Sequence, residues 1–169
     1  VFEARYLDMT ADCLRRQQPF GVCLIRQGAE VGQAAIPETV GCQARIVTAD
    51  MDTLGVMLIE ARGEGRFVLE GTSLAANQLL VGQVRDKNDE AILPVPEDCR
   101  AAIDLLRALA EKMPASGLTE IHDDASWVGF RLAEVLPLKT AARQAMLEMN
   151  DAVRRLRILL DFMRRNGLA

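Results

Sequence analysis

The chain has 169 residues, of which half are hydrophobic and 26% charged. That composition excludes a disordered tail or a collagen-like fibre and suits one domain, or one domain with an appendage. The net charge of -4, from 24 acids against 20 bases, argues against a globally basic nucleic-acid binder and leaves room only for a local basic face.

The first element is a helix over Ala4 to Arg16, with Tyr6, Met9 and Cys13 on one face. Short strands follow. Phe20-Gly21-Val22-Cys23-Leu24-Ile25 is an apolar run ending at Gln27-Gly28, and Gly41 to Val47 alternates as a half-exposed strand does. Gly55 to Glu60 and Arg66 to Glu70 read as two strands joined by a Gly63-Glu64-Gly65 turn, and Gln78 to Arg85 as another. Strands this short and closely spaced, without helical periods between them, predict an antiparallel barrel or sandwich.

Composition changes at Asp86-Lys87-Asn88-Asp89-Glu90, and Pro94-Val95-Pro96 follows, so a linker is expected across 86–96. It divides the chain into a β part, 1–90, and a helical part, 91–169. Beyond it, Ala102, Leu105, Leu106, Leu109 and Met113 recur at helical spacing before Pro114. After a loop containing Ser116-Gly117, Asp123-Asp124 is a cap region. The next helix carries Trp127, Val128, Phe130, Leu132, Val135 and Leu136 up to Pro137. Two more follow over Thr140 to Asn150, with Ala142, Ala145, Met146 and Met149 inward, and Asp151 to Asn166, with Val153, Leu156, Leu160 and Met163 inward. The fold class is α+β.

Catalytic patterns do not assemble. No glycine is followed by Lys, as a phosphate-cradling P-loop needs. None of the three serines, Ser73, Ser116 and Ser126, sits in a Gly-x-Ser-x-Gly elbow, and the single histidine, His122, lies in a polar stretch before a helix. Asp50 with Asp52 reads as turn chemistry. Cys13, Cys23, Cys42 and Cys99 show no metal-ligand spacing and read as separate thiols in a reducing compartment. No catalytic, cofactor or metal residue is therefore expected. Two features carry a weak binding reading beside their structural one. Trp127 with Phe130 serves either core packing or a ligand contact. Arg154 and Arg157, in a last helix that also carries Arg155, Arg164 and Arg165, form either a solvated face or a patch for phosphate or an acidic partner. No uncharged apolar stretch reaches the ~20 residues of a membrane span. No charged leader with an apolar core opens the chain. The expected compartment is the cytoplasm, and the 17 arginines against 3 lysines hint at a GC-rich bacterial genome.

Phe2-Glu3-Ala4-Arg5-Tyr6 resembles the Phe-Glu-Pro-Arg-Tyr signature of the Lon protease N-terminal domain, with Ala4 in place of Pro. Phe20-Gly21-Val22, the Glu30-Val31-Gly32 turn, Val40 to Ile46, Gly65-Arg66-Phe67 and Arg131 to Leu138 match that family in order. So do Gln144, Met146-Leu147-Glu148, Asp151 and Arg154-Arg155-Leu156. The resemblance implies a PUA-like β-barrel followed by a C-terminal helical bundle. It also implies a stand-alone domain without the family's ATPase and peptidase modules, and a first barrel strand that belongs ahead of Val1. The function it implies is non-catalytic binding of unfolded or tagged polypeptide, or of a protease partner, linked to proteolysis or quality control. The alternative is an RNA- or nucleotide-binding PUA-like protein, which rests on fold analogy alone.

Overall fold

The computed structural model describes residues 1–29, 35–52, 56–87, 90–112 and 120–168. The chain divides into two compact units, Val1–Asp89 and Glu90–Ala169.

Unit 1 opens with α1 (Ala4–Arg16), followed by β1 (Phe20–Gln27), β2 (Ile36–Met51), β3 (Met57–Leu74) and β4 (Leu80–Asp86). The strands form one antiparallel sheet in the order β1-β2-β3-β4. The barrel expected from the sequence is not closed: among the described residues β1 pairs only with β2, and β4 only with β3. The expected Gly63-Glu64-Gly65 turn is also absent. β3 runs straight through it, with Gly63 opposite Ala44 and Arg66 opposite Cys42 across a register shift. The glycine serves close approach, since a Cβ on Gly63 would lie 3.3 Å from Cys42 Sγ. The Glu30-Val31-Gly32 turn lies outside the described residues.

On α1, a helix as expected, Tyr6, Met9 and Cys13 are half-buried, and the most buried residues are Arg5 and Thr10. The Arg5 guanidinium pairs with Glu3 at 2.8 Å and lies over the Tyr6 ring, 4.9 Å from its centroid. Its Nη1 donates to the Gln78 carbonyl, 3.3 Å away. The Phe-Glu-x-Arg-Tyr segment thus staples the start of α1 to the β3–β4 connection, where Gln78 holds φ 65°. The sheet's deepest side chain is Phe67, 2% exposed. It fits because Gly41 stands opposite it: a Cβ there would come within 2.5 Å of the Phe67 ring, 2.6 Å of Cys23 Sγ and 2.6 Å of the Val22 carbonyl.

Unit 2 begins with extended chain and a single 3₁₀ turn, Glu97–Cys99, then α2 (Ala101–Lys112), α3 (Ala125–Val135), α4 (Thr140–Glu148) and α5 (Ala152–Arg165). Met113 and the Ser116-Gly117 loop lie outside the described residues. Asp124 caps α3, accepting from the backbone N–H groups of Ser126 and Trp127, and Asp151 caps α5 by accepting from Arg154 N. The helices close on one core. Ala102, Ile103 and Leu106 come from α2, Val128 and Leu132 from α3, and Met146 from α4; α5 gives Leu156, Leu159, Leu160 and Met163. One expected inward residue, Ala145, faces solvent instead. Among the described residues no helix is long and apolar enough to cross a membrane.

Candidate functional site

Strand period and pairing decide what unit 1 presents to solvent. Beyond Arg45 on β2, where pairing to β1 has ended, β2 and β3 continue as a two-stranded ribbon. Residues directly opposite in an antiparallel ladder share a face. Ile46/Ala61, Ala49/Ile59 and Met51/Met57 therefore make one face wholly apolar, whereas Arg45/Arg62, Thr48/Glu60 and Asp50/Leu58 make the other mixed. The ribbon leaves Val47 60%, Leu58 60% and Met51 53% exposed. No Lys or Arg occurs between Ile46 and Ala61, whereas Asp50, Asp52 and Glu60 do. Two of these acids, which the sequence assigns to turn chemistry, accept from backbone N–H groups, Asp50 from within β2. Asp52 Oδ1 accepts from Val56 N at 2.9 Å, and Asp50 Oδ1 from Met51 N at 2.8 Å. At the ribbon's base, Arg45 forks onto Glu64, with Nη2 3.0 Å from Oε2, and that hydrogen bonding holds the Glu64 carboxyl below its usual range. Every residue of β4 is exposed, including Leu80, Val81 and Val84. The result is a folded sheet with aliphatic side chains left uncovered over much of its area.

The four residues with a weak binding reading lie in unit 2. Trp127 is half-buried against the core and meets the His122 ring edge-on, centroids 5.0 Å apart. Phe130 lies under the Arg155 guanidinium, 3.9 Å from its ring centroid. Arg154 is exposed, and Arg157, also exposed, donates from Nε to Asp98 Oδ2 at 3.2 Å. The structure brings Phe130 to Arg155, and Arg157 to Asp98.

Arg155 is the residue that reading by charge misplaces. It is fully buried, and its guanidinium is bonded on three sides. Nη1 donates to Glu90 Oε2 at 2.9 Å, Nη2 to Glu90 Oε1 and the Met149 carbonyl, and Nε to the Met146 carbonyl at 3.0 Å. Gly129 makes room, since a Cβ there would sit 3.1 Å from Arg155 Cδ. Spacing carries the signal that charge hides: Ala152, Arg155, Leu156, Leu159, Leu160 and Met163 follow the helical repeat on the buried face. No sequence signal marks Glu90 as its partner.

Among the described residues no group of three or more His, Cys, Asp or Glu side chains gathers as a cation site. All four cysteines are free thiols. Burial pushes the Cys23 and Cys99 thiols up, toward the protonated, unreactive form.

The family model of the ATP-dependent protease La (LON) substrate-binding domain matches residues 1–165. A crystal structure of a Lon N-terminal domain protein from Xanthomonas campestris is similar at 34% identity, with a TM-score of 0.77, covering 95% of this chain and 85% of that one. The N-terminal domain of a Lon protease from the Mycobacterium avium complex shares the fold at 18% identity and a TM-score of 0.57, covering 86% of this chain and 89% of that one. No curated protein matches the chain. The chain belongs to the LON substrate-binding domain family.

Proposed function

We propose that the chain is a non-catalytic module that binds unfolded or tagged polypeptide segments, in connection with proteolysis or protein quality control. The observation that carries the reading is the uncovered aliphatic surface of unit 1. Val22, Val47, Met51, Leu58, Val81 and Val84 are exposed on a sheet whose buried hydrophobic side chains, among the described residues, are Val40, Ala44 and Phe67. Apolar area kept in water by a folded domain is costly unless a partner covers it. Family membership supplies the class of partner, protein.

We read residues 1–90 as a PUA-like part and 91–169 as the C-terminal bundle part. The support is the long strands with repeated register shifts, which bend a sheet, and the single core shared by α2–α5. In this reading Trp127, Phe130, Arg154 and Arg157 are secondary contacts. Exposed Arg154 and Arg157 offer charge to acidic residues of a bound segment, and Trp127 and Phe130 offer partly exposed rings.

The test is a peptide array probed with the whole chain, with an unrelated domain of similar net charge as the control. Enrichment of apolar segments over the control is expected. Equal binding to both domains overturns the proposal, and so does an RNA affinity that falls steeply with salt alongside weak peptide binding.

A further inference from the structure

β4 ends the sheet, and among the described residues it pairs only with β3. Two hydrogen bonds fix which way its backbone groups point. At one end Ala75 N donates to the Leu79 carbonyl, and at the other Lys87 N donates to the Arg66 carbonyl, both at 2.9 Å. These bonds flank Leu74 opposite Leu80 and Phe67 opposite Asp86, so both are non-hydrogen-bonded pairs of the antiparallel ladder. The alternation is the same from either end. Val81, Gln83 and Arg85 turn their N–H and C=O groups to β3, whereas Leu80, Gly82 and Val84 turn theirs outward. Among the described residues none meets those outward groups.

Natural sheets blunt a free edge with Pro, Lys, bulges or an inward charge. The edge at β1 carries such a device, since its pairing shifts register twice, after Cys23 and after Ile25. β4 carries none. It contains neither Pro nor Lys, and the one shift in its pairing comes from an extra residue, Glu70, on β3. Its two charges sit together at its end: Arg85 Nε donates to Glu70 Oε1 at 2.9 Å, and Asp86 Oδ1 accepts from Gln43 Nε2 at 3.3 Å. Leu80 to Val84 is uncharged. One face of this edge is also apolar. Leu80 and Val84 are both exposed, and Leu69 fills the place between them: a Cβ on Gly82 would come within 2.5 Å of Leu69 Cδ1.

We infer that β4 captures polypeptide by strand addition. An extended segment pairs antiparallel with Leu80, Gly82 and Val84 and becomes the next strand of the sheet. Each of the three exchanges two hydrogen bonds with the residue opposite it. Those opposite residues share a face with Leu80, Leu69 and Val84, so the favoured segment is uncharged and apolar at alternate positions. Main-chain contacts are open to almost any sequence, which suits a module that takes many segments. The inference rests on the reading of the chain as a polypeptide binder and supplies its binding mode.

The probe is a short fluorescein-labelled peptide of alternating Val and Thr, read by anisotropy against the full chain. Two N-methylated forms separate its edges. Methyl groups on the Val nitrogens remove the donors that meet β4 when Val lies on the apolar face; methyl groups on the Thr nitrogens leave those donors in place. Affinity should fall about tenfold or more for the first form and stay near that of the parent for the second. Val84→Pro makes the same test on the protein. It removes an outward N–H and keeps the ladder to β3, which Gln83 and Arg85 make. The parent peptide should weaken likewise, with Cys23 labelled at its unaltered rate to show that the sheet is intact. Equal affinity of the two methylated peptides overturns strand addition, and leaves polypeptide binding to another surface. No binding of the parent peptide overturns it too, and enrichment on the peptide array would then keep the binder reading standing without it. A dimer in sedimentation that Val84→Pro dissolves, with peptide affinity unaltered, gives the edge to a second copy of the chain and also overturns the inference.

Discussion

The two units are similar in length and differ in how they are held together. Among the described residues, unit 2 buries sixteen hydrophobic ones in one cluster, whereas unit 1 buries Val40, Ala44 and Phe67. The helical unit is stabilised as most domains are, by apolar area removed from water. The sheet unit relies more on its ladders, on ion pairs such as Arg45 with Glu64, and on the staple at Arg5. Its aliphatic side chains are spent on the surface. A binding face that is apolar but not collapsed needs a scaffold that does not depend on that face for its own core, and a paired ribbon is such a scaffold.

The contrast predicts that core truncation is severe in one unit and steric change severe in the other. Leu156, fully buried on α5, should cost about 2–5 kcal/mol when changed to Ala. Denaturant unfolding followed by Trp127, the single tryptophan, should show that loss, while labelling of the unit 1 thiols Cys13, Cys23 and Cys42 keeps its unaltered rate. Gly41→Ala should do the reverse. The added methyl meets the Phe67 ring, Cys23 Sγ and a backbone carbonyl that cannot move aside. About 1–3 kcal/mol is expected from such overpacking, read as faster labelling of Cys23 with an unchanged Trp127 transition. Coupled responses in both variants would mean that the two units unfold as one.

The same contrast governs what the sequence reveals. Helices α1 to α5 are legible because a buried stripe repeats with the helical period and because caps such as Asp124 and Asp151 are local. The sheet is less so. Whether Gly63-Glu64-Gly65 is a turn or the middle of an 18-residue strand depends on its pairing with Ala44 and Cys42, which lie some twenty residues upstream. The exposure of the ribbon is likewise invisible, because Val47, Met51 and Leu58 have the composition of a core. Buried charge is the third blind spot. Arg155 is one of five arginines on its helix, and only its place in the repeat separates it from exposed Arg154 and Arg157. The candidate residues named from sequence were the conspicuous aromatics and cations of unit 2, whereas the larger uncovered surface lies in unit 1.

If unit 1 carries the binding surface, a surface change there should alter binding and leave stability alone. Leu58→Asp puts a carboxylate where an aliphatic side chain is 60% exposed. Stability should stay within about 0.5 kcal/mol. Capture of apolar peptides should weaken about tenfold, the worth of covering most of one such side chain. Arg154→Ala should change capture less. A larger loss with Arg154→Ala than with Leu58→Asp would move the surface to the helical unit.

The smallest effect is electrostatic and belongs to unit 2. The Asp123 carboxyl is held below its usual range first by the hydrogen bond from Val95 N and then by Arg100, 3.1 Å away. A carboxyl whose folded pKa is depressed contributes stability that is fully present above its unfolded value and is lost as the pH falls through its folded one. Asp123→Asn keeps an oxygen to accept from Val95 N and removes only the charge. The variant should therefore unfold slightly more easily than the unaltered chain at neutral pH, and the two curves should converge in acid once Asp123 is protonated. Because the carboxylate is half exposed, the gap is small and shrinks further with salt. A gap that persisted unchanged into acid would assign the difference to the geometry of the Val95 hydrogen bond instead of the charge.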